Sequence, residues 1–301
     1  MDRMPALSLA AVPGRRLRTI GLAKEIEDRG FTGIYGPSFG DVMSLCLSVA
    51  HATERMEMGT SVLPIYLRHP ADLAGAASYL AEVSGGRFTL GLGVTHGPVH
   101  QRLGVEPGRP LSDMRDYVSA LRSAIPEGAA TPRLVLATLR SKMLALAAEV
   151  ADGAVWANGS RSYMSRQLAE VPAERRKAGF FVGNMIPTVI DDDREAAAAV
   201  NRRTLSTYVA LPNYRNYWIA AGYEEEMTAI QQALAAGEQD RVPSLMSDRW
   251  LSDCTLYGSA GEVREGLEAW FEAGVSTPIL VPSSTSGGQL KALEEIFATF
   301  A

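Results

Sequence analysis

The sequence predicts an α/β fold, a parallel (β/α)8 TIM barrel, from three observations. Short apolar runs alternate with amphipathic helical stretches nearly from end to end, eight such runs can be counted, and 301 residues suit one barrel domain of this kind. Strands buried on both faces read as continuous apolar runs, as a parallel barrel requires. An open doubly wound sheet shares this periodicity, but no composition break separates two halves, which favours one domain over residues 1–301.

The elements follow in order. ALSLAAV (6–12) precedes a helix in which Leu17, Ile20, Ala23 and Ile26 keep helical spacing until Gly30 stops it. FTGIYG (31–36) leads to a helix that Asp41 can cap. MEMGTSVLP (56–64) leads to HPADLAGAASYLAEVSG, where His69 stands before Pro70 at the helix start. RFTLGLGV (87–94) is followed by a polar, proline-containing stretch and then the helix LSDMRDYVSALRSAI. RLVLATL (133–139) precedes RSKMLALAAEVADG, and GAVWAN (153–158) precedes SRSYMSRQLAEVPAERRKAG. The seventh strand is FFVGNMIPTVI (180–190), its helix capped by the cluster Asp191, Asp192 and Asp193, favourable against the helix dipole. VSTPILVPS (275–283) is the eighth, preceded by SAGEVREGLEAWFEAG and followed by GGQLKALEEIFATF. Between these two, residues 205–257 read as a helical insertion without a strand, carrying Tyr208, Tyr214, Tyr217, Trp218, Tyr223, Trp250 and Tyr257. It is either a helix-packing layer or a wall over the C-terminal barrel face, where active sites of this architecture lie.

Composition narrows the function. The chain is 47% hydrophobic and 21% charged with a formal net charge of −5, and its basic residues form no runs, so small molecules are expected as partners and nucleic acid is not. Cys46 and Cys254 lie far apart and form no CxxC motif, which suits core thiols in a reducing cytoplasm. No apolar stretch reaches the roughly 18 residues of a membrane helix, so neither membrane spanning nor secretion is expected.

The stretch GGRFTLGLGVTHGPVH (85–100) raises the question of a ligand. Gly91, Gly93 and Gly97 miss the dinucleotide spacing by one residue, and no Lys-Ser or Lys-Thr follows, so neither a Rossmann fingerprint nor a nucleoside-triphosphate loop fits. The glycines either let backbone N–H groups of residues 94–97 approach an anion or ease a tight turn and barrel packing.

The surroundings favour the anion reading. Residues 59–97, GTSVLPIYLRHPADLAGAASYLAEVSGGRFTLGLGVTHG, resemble the bacterial luciferase-like monooxygenase superfamily, most of all its branch using the deazaflavin coenzyme F420. MLALAAEVADGAVW (143–156) and YGSAGEVREGLEAWFEAGV (257–275) resemble later parts of the family, so the likeness covers most of the chain and implies a luciferase-like (β/α)8 barrel. By position, the resemblance implies that Thr60, Ser61 and Val62 line the tricyclic ring, across a cis peptide joining Ser61 to Val62. It also implies that Gly93, Val94, Thr95, His96 and Gly97 hold the phosphate. A second phosphate anchor after strand five, often glycine-rich in the family, reads here as ATLRSKM, where Thr138, Arg140, Ser141 and Lys142 can supply side-chain donors. Asn158, ending strand six, can reach the phosphate or serve the turn. Where several relatives carry an acidic residue or histidine at the end of strand two, this chain has YGPS, so that strand either lacks a proton donor or uses Tyr35.

Of four histidines, His96 is the candidate for proton transfer, because it lies in the loop on the functional face and titrates near neutrality. His96 and His100 are four apart, but Gly97 and Pro98 are expected to break any helix between them, so no metal site is expected. The reading is an oxidoreductase moving a hydride between coenzyme F420 and a small organic substrate. FMN-dependent oxygen chemistry and a non-catalytic cofactor-binding paralogue are the alternatives. A homodimer is what the resemblance implies.

Overall fold

The computed structural model of the chain describes residues 3–38 and 40–300. Eight strands follow one another as β1 (Ala6–Ser8), β2 (Gly33–Gly36), β3 (Glu57–Thr60), β4 (Phe88–Gly93), β5 (Arg133–Ala137), β6 (Gly153–Ala157), β7 (Phe181–Ile190) and β8 (Thr277–Ser283). The helices are α1 (Arg16–Asp28), α2 (Val42–Ala52), α3 (Pro70–Val83), α4 (Gly97–Leu103), α5 (Pro110–Ala124), α6 (Ser141–Val150), α7 (Arg161–Leu168), α8 (Ala173–Lys177), α9 (Arg194–Val209), α10 (Pro212–Ala220), α11 (Glu224–Ala235), α12 (Asp248–Cys254), α13 (Ala260–Glu272) and α14 (Gln289–Thr299). This is the parallel (β/α)8 barrel that the alternation predicts. Among the described residues no helix is long and apolar enough to cross a membrane.

The chain divides into two compact units. The first comprises Met1–Trp156 and Glu170–Gly183. In it β1 to β6 lie side by side in chain order, in parallel where the register is resolved, as in Leu7 beside Ile34, Gly36 beside Thr60 and Gly59 beside Thr89. β1, β2 and β4 are buried at every residue, which is why they read as apolar runs. The caps fall where the sequence places them: the Asp41 carboxylate accepts the N–H of Ser44, and Nδ1 of His69 accepts that of Ala71.

Two charged side chains tie this unit together behind the strands. One carboxylate oxygen of buried Glu27 on α1 accepts the N–H groups of Glu54, Arg55 and Met56, at 2.7 to 2.9 Å. The Arg87 guanidinium donates to the carbonyls of Ala50, Thr53, Met56 and Ser84. The turn entering β3 is therefore held by a carboxylate on its donors and a guanidinium on its acceptors.

The polar stretch after β4 corrects one expectation. Gly97 and Pro98 do not break a helix between His96 and His100; they begin one, α4, which runs until Gly104 adopts the left-handed conformation at φ 63°. A proline in the first turn lacks only an N–H that has no intrahelical acceptor.

The second unit comprises Ala157–Ala169 and Asn184–Ala301. β7 runs into it, and both β8 and a short strand, Leu256–Gly258, pair with β7. That strand, with Tyr257 at its centre, corrects the expectation that residues 205–257 hold none. The segment is otherwise helical, from α9 through α12 with a 3-10 turn at Gln239–Leu245. Tyr214, Tyr217, Trp218 and Trp250 are buried, and the Trp218 and Trp250 rings meet edge to face at 4.9 Å. The aromatics therefore build the core of this unit. Asp193 caps α9 by accepting the N–H of Ala196, and Ser259 with Glu262 forms a capping box at α13. Cys46 and Cys254 are both buried free thiols.

Candidate functional site

In the first unit, the chain leaves β3 at Thr60, passes through a cis peptide joining Ser61 to Val62, and rejoins the sheet with Leu63 and Pro64 beside Leu92 and Gly93. Thr60 occupies the gap in the ladder: its hydroxyl donates to the Gly91 carbonyl and accepts the Gly91 N–H, both at 2.8 Å. The Thr60 side chain is thus spent on strand pairing. Ser61 is 6% exposed and its hydroxyl has no partner.

The glycines of β4 answer to this bulge. A β-carbon on Gly91 would stand 2.1 Å from the Thr60 carbonyl oxygen, and one on Gly93 would stand 2.6 Å from Cγ2 of Val62 and 3.2 Å from Cβ of Ala137. Their missing side chains make room for residues 60–62, a packing role. At Gly97 nothing lies within 4 Å of such a carbon, so open space begins there.

Between these glycines the backbone turns sharply. Thr95 takes the left-handed conformation at φ 59°, uncommon for a residue with a β-branched side chain, and its buried hydroxyl has no partner. His96 is half-buried, and burial together with the neighbouring His100 holds its imidazole below the usual pKa, so it is neutral at pH 7. His100 on α4 reaches back to the Val94 carbonyl at 2.6 Å. Its ring meets that of Tyr66 edge to face at 5.3 Å, and Tyr66 donates its hydroxyl to Asp113, which also accepts the N–H of Gly108.

The turn after β5 contains no glycine. Buried Thr138 donates its N–H to the Val155 carbonyl, while Arg140, Ser141 and Lys142 lie exposed where α6 begins. A cavity of about 210 Å3 opens beside Leu63 and Pro64, lined also by Leu67 and Leu73 and carrying Asp41 and Arg68.

Tyr35 stands apart from these groups. It is 1% exposed, its ring fills the space left by Gly33 and Gly59, and its hydroxyl donates to Glu57 at 3.0 Å. Glu57 is the first residue of β3 and Thr60 the last, so the phenol points to the opposite end of the strand from Ser61. Burial and the adjacent Glu57 carboxylate push its pKa up, which keeps the phenol protonated.

In the second unit Asn158 ends β6 in the left-handed conformation at φ 57°. The turn it begins is held at nearly every backbone group. Asn158 donates to the Met185 carbonyl and its own carbonyl accepts from Trp218; Gly159, Ser160 and Ser162 donate to Asn184, the Tyr217 hydroxyl and Asp253. The amides of Asn158, Gly159, Ser160 and Ser162 are thus taken within the protein, while Nδ2 of Asn158 is buried without a partner. Sequence reasoning did not find Asp253, because nothing near it in the chain marks it as the acceptor for residues 160–162, ninety positions earlier.

Comparison with known proteins follows this geometry. The family described as luciferase-like monooxygenase matches residues 8–277. A Mycobacterium tuberculosis protein, provisionally named a coenzyme F420-dependent oxidoreductase, is 25% identical over 315 residues, covering 87% of this chain and 90% of its own. Among solved structures, the coenzyme F420-dependent tetrahydromethanopterin reductase of Methanopyrus kandleri superposes with a TM-score of 0.76 at 17% identity, covering 98% of each chain. The oxygenating constituent of 3,6-diketocamphane monooxygenase from Pseudomonas putida, in complex with FMN, gives a TM-score of 0.66 at 17% identity over 100% of this chain and 96% of its own.

Proposed function

Because the chain belongs to the luciferase-like monooxygenase family, we propose that it is an oxidoreductase that binds coenzyme F420 and moves a hydride to or from a small organic substrate. The observation that carries this reading is the pair of buried, unpartnered hydroxyls of Ser61 and Thr95, one on the bulge after β3 and one in the turn after β4. Buried polar groups without partners are uncommon, and these two stand where the family resemblance puts ring and phosphate. The residues therefore fit a flavin-type cofactor.

When bound, that cofactor supplies the ring that gives or takes the hydride. Ser61 and Val62 would present an apolar wall and one hydroxyl to it. Val94, Thr95, His96 and Gly97 would surround the phosphate, with exposed Arg140 and Lys142 offering charge to an anionic tail. His96, neutral at pH 7, can accept or return one proton at its imidazole. The cavity beside Leu63 sets the apolar side chains of Leu63, Leu67 and Leu73 against the charged Asp41 and Arg68, and would take a small organic substrate with a polar group. A second copy of the chain, on family likeness alone, and a cytoplasmic setting, on cysteine usage, complete the proposal.

FMN is the second reading, supported by the FMN-bound Pseudomonas putida neighbour. Anaerobic assays with F420 and a panel of alcohols, imines and enones separate the two. The deazaflavin absorbance band should fall or recover with a substrate in the absence of oxygen. Oxygen uptake with reduced FMN, and no change in the deazaflavin band, would instead establish the monooxygenase.

A further inference from the structure

We infer that His100 is a positioning residue, whose grip on the Val94 carbonyl turns the Thr95 N–H toward the bound phosphate. The inference rests on the reading above, in which residues 94–97 surround that phosphate. A carbonyl oxygen can only accept, so the 2.6 Å contact from Nε2 of His100 to Val94 requires the hydrogen on Nε2. Among the described residues the only cis peptide is Ser61–Val62, so the Val94–Thr95 peptide is trans. In a trans peptide the C=O and N–H point in opposite directions. With its oxygen drawn to α4, this peptide turns the Thr95 N–H away from the helix. Thr95 itself is left-handed, the backbone step that lets successive amides converge on an anion, and its buried hydroxyl has no partner within the protein.

The imidazole is itself braced. Tyr66 packs edge-on against it at an interplanar angle of 88°, and the Tyr66 hydroxyl is anchored by Asp113 at 2.7 Å. Asp113, on α5, also holds the N–H of Gly108, so Tyr66 and the loop between α4 and α5 are fixed to the same carboxylate. The four-residue spacing of His96 and His100 is that of neighbours on one helix face, and no metal site is expected from it. The geometry gives His100 a donor role toward backbone.

Two variants separate the hydrogen bond from ring packing. His100→Phe keeps an aromatic ring against Tyr66 and removes the donor; His100→Gln removes the ring and restores an N–H at similar reach. The probes are F420 and FMN, each paired with its phosphate-free core, the deazaflavin core and riboflavin, titrated by ring fluorescence with the melting temperature recorded alongside. For the phosphorylated cofactor that the wild type binds, His100→Phe should weaken affinity about tenfold, as expected for one hydrogen bond to an anion. His100→Gln should stay near wild type, and the phosphate-free core should bind all three proteins equally. Should neither variant fold, ring 15N NMR of the wild type decides: His100 should be the Nε2–H form, and its signal should move with the phosphorylated cofactor and not with the core. Unchanged affinity in His100→Phe, equal losses for cofactor and core, or an NMR signal that ignores the phosphorylated cofactor would overturn the assignment while leaving the cofactor reading intact. A wild type that binds neither F420 nor FMN sinks that reading, and the role of His100 with it.

Discussion

Gly93 and Val62 face each other so closely that a β-carbon on the glycine would stand 2.6 Å from Cγ2 of the valine. The last glycine of β4 is there because the bulge after β3 needs its space, and Gly91 gives way to the Thr60 carbonyl in the same manner. Gly91 and Gly93 stand two positions apart in FTLGLG, which keeps both gaps on one face of the strand.

Gly93→Ala should therefore destabilise the fold by about 1–3 kcal/mol, since Val62 is β-branched and has few alternative rotamers. Val62→Ala in the same chain should recover part of that loss, because it removes the methyl group in the way. Urea denaturation of the two single variants and the double variant checks this, and additive losses would show that the two positions are not coupled.

Gly97→Ala should behave in the opposite way. Open space surrounds that position, so stability should move by no more than about 0.5 kcal/mol. Any loss of affinity for a phosphorylated cofactor in this variant then reports on the ligand directly. A melting temperature lowered as far as in Gly93→Ala would contradict the contrast.

The Glu27 carboxylate contributes a pH dependence. Burial raises its pKa, but the N–H groups of Arg55, Met56 and Glu54 together overcome that and pull it from 4.5 to about 2. A depressed carboxylate stabilises the fold above its unfolded pKa and ceases to do so as pH falls through the folded one. Stability should thus drop between pH 4.5 and about 2. Glu27→Gln should lose roughly 2–3 kcal/mol at pH 7 and show a shallower acid limb. Denaturation midpoints across that range for both proteins provide the check, and parallel acid limbs would rule out the assignment.

Tyr35→Phe should cost about 1 kcal/mol of stability through the lost bond to Glu57 and leave turnover unchanged. A large fall in turnover, with binding and stability preserved, would return the phenol to the chemistry.

Much of this was legible in the chain, for physical reasons that differ by element. Buried strands such as Phe88–Gly93 announce themselves as apolar runs, and Asp41, His69 and Asp193 mark helix starts because their acceptors satisfy first-turn amides. Helix α4 was not legible, since Gly-Pro reads as a breaker unless the proline is known to sit in the first turn. Nor was the direction of Tyr35, because strand alternation fixes which face a side chain takes but not which end its hydroxyl seeks. The likeness to a known family located Ser61 and Thr95, yet only three-dimensional packing shows that Thr60 and Gly93 serve the bulge. Asp253 and Asn184 meet residues 159–162 through the fold alone.

Whether the chain holds a deazaflavin cofactor is decided by equilibrium titration of the apo-protein with F420 and with FMN, following ring fluorescence at low and moderate salt. F420 should bind saturably, more tightly than FMN and with a greater loss in salt, because exposed Arg140 and Lys142 would meet an anionic tail. Submicromolar FMN binding with none for F420, or no saturable change with either, would contradict that expectation.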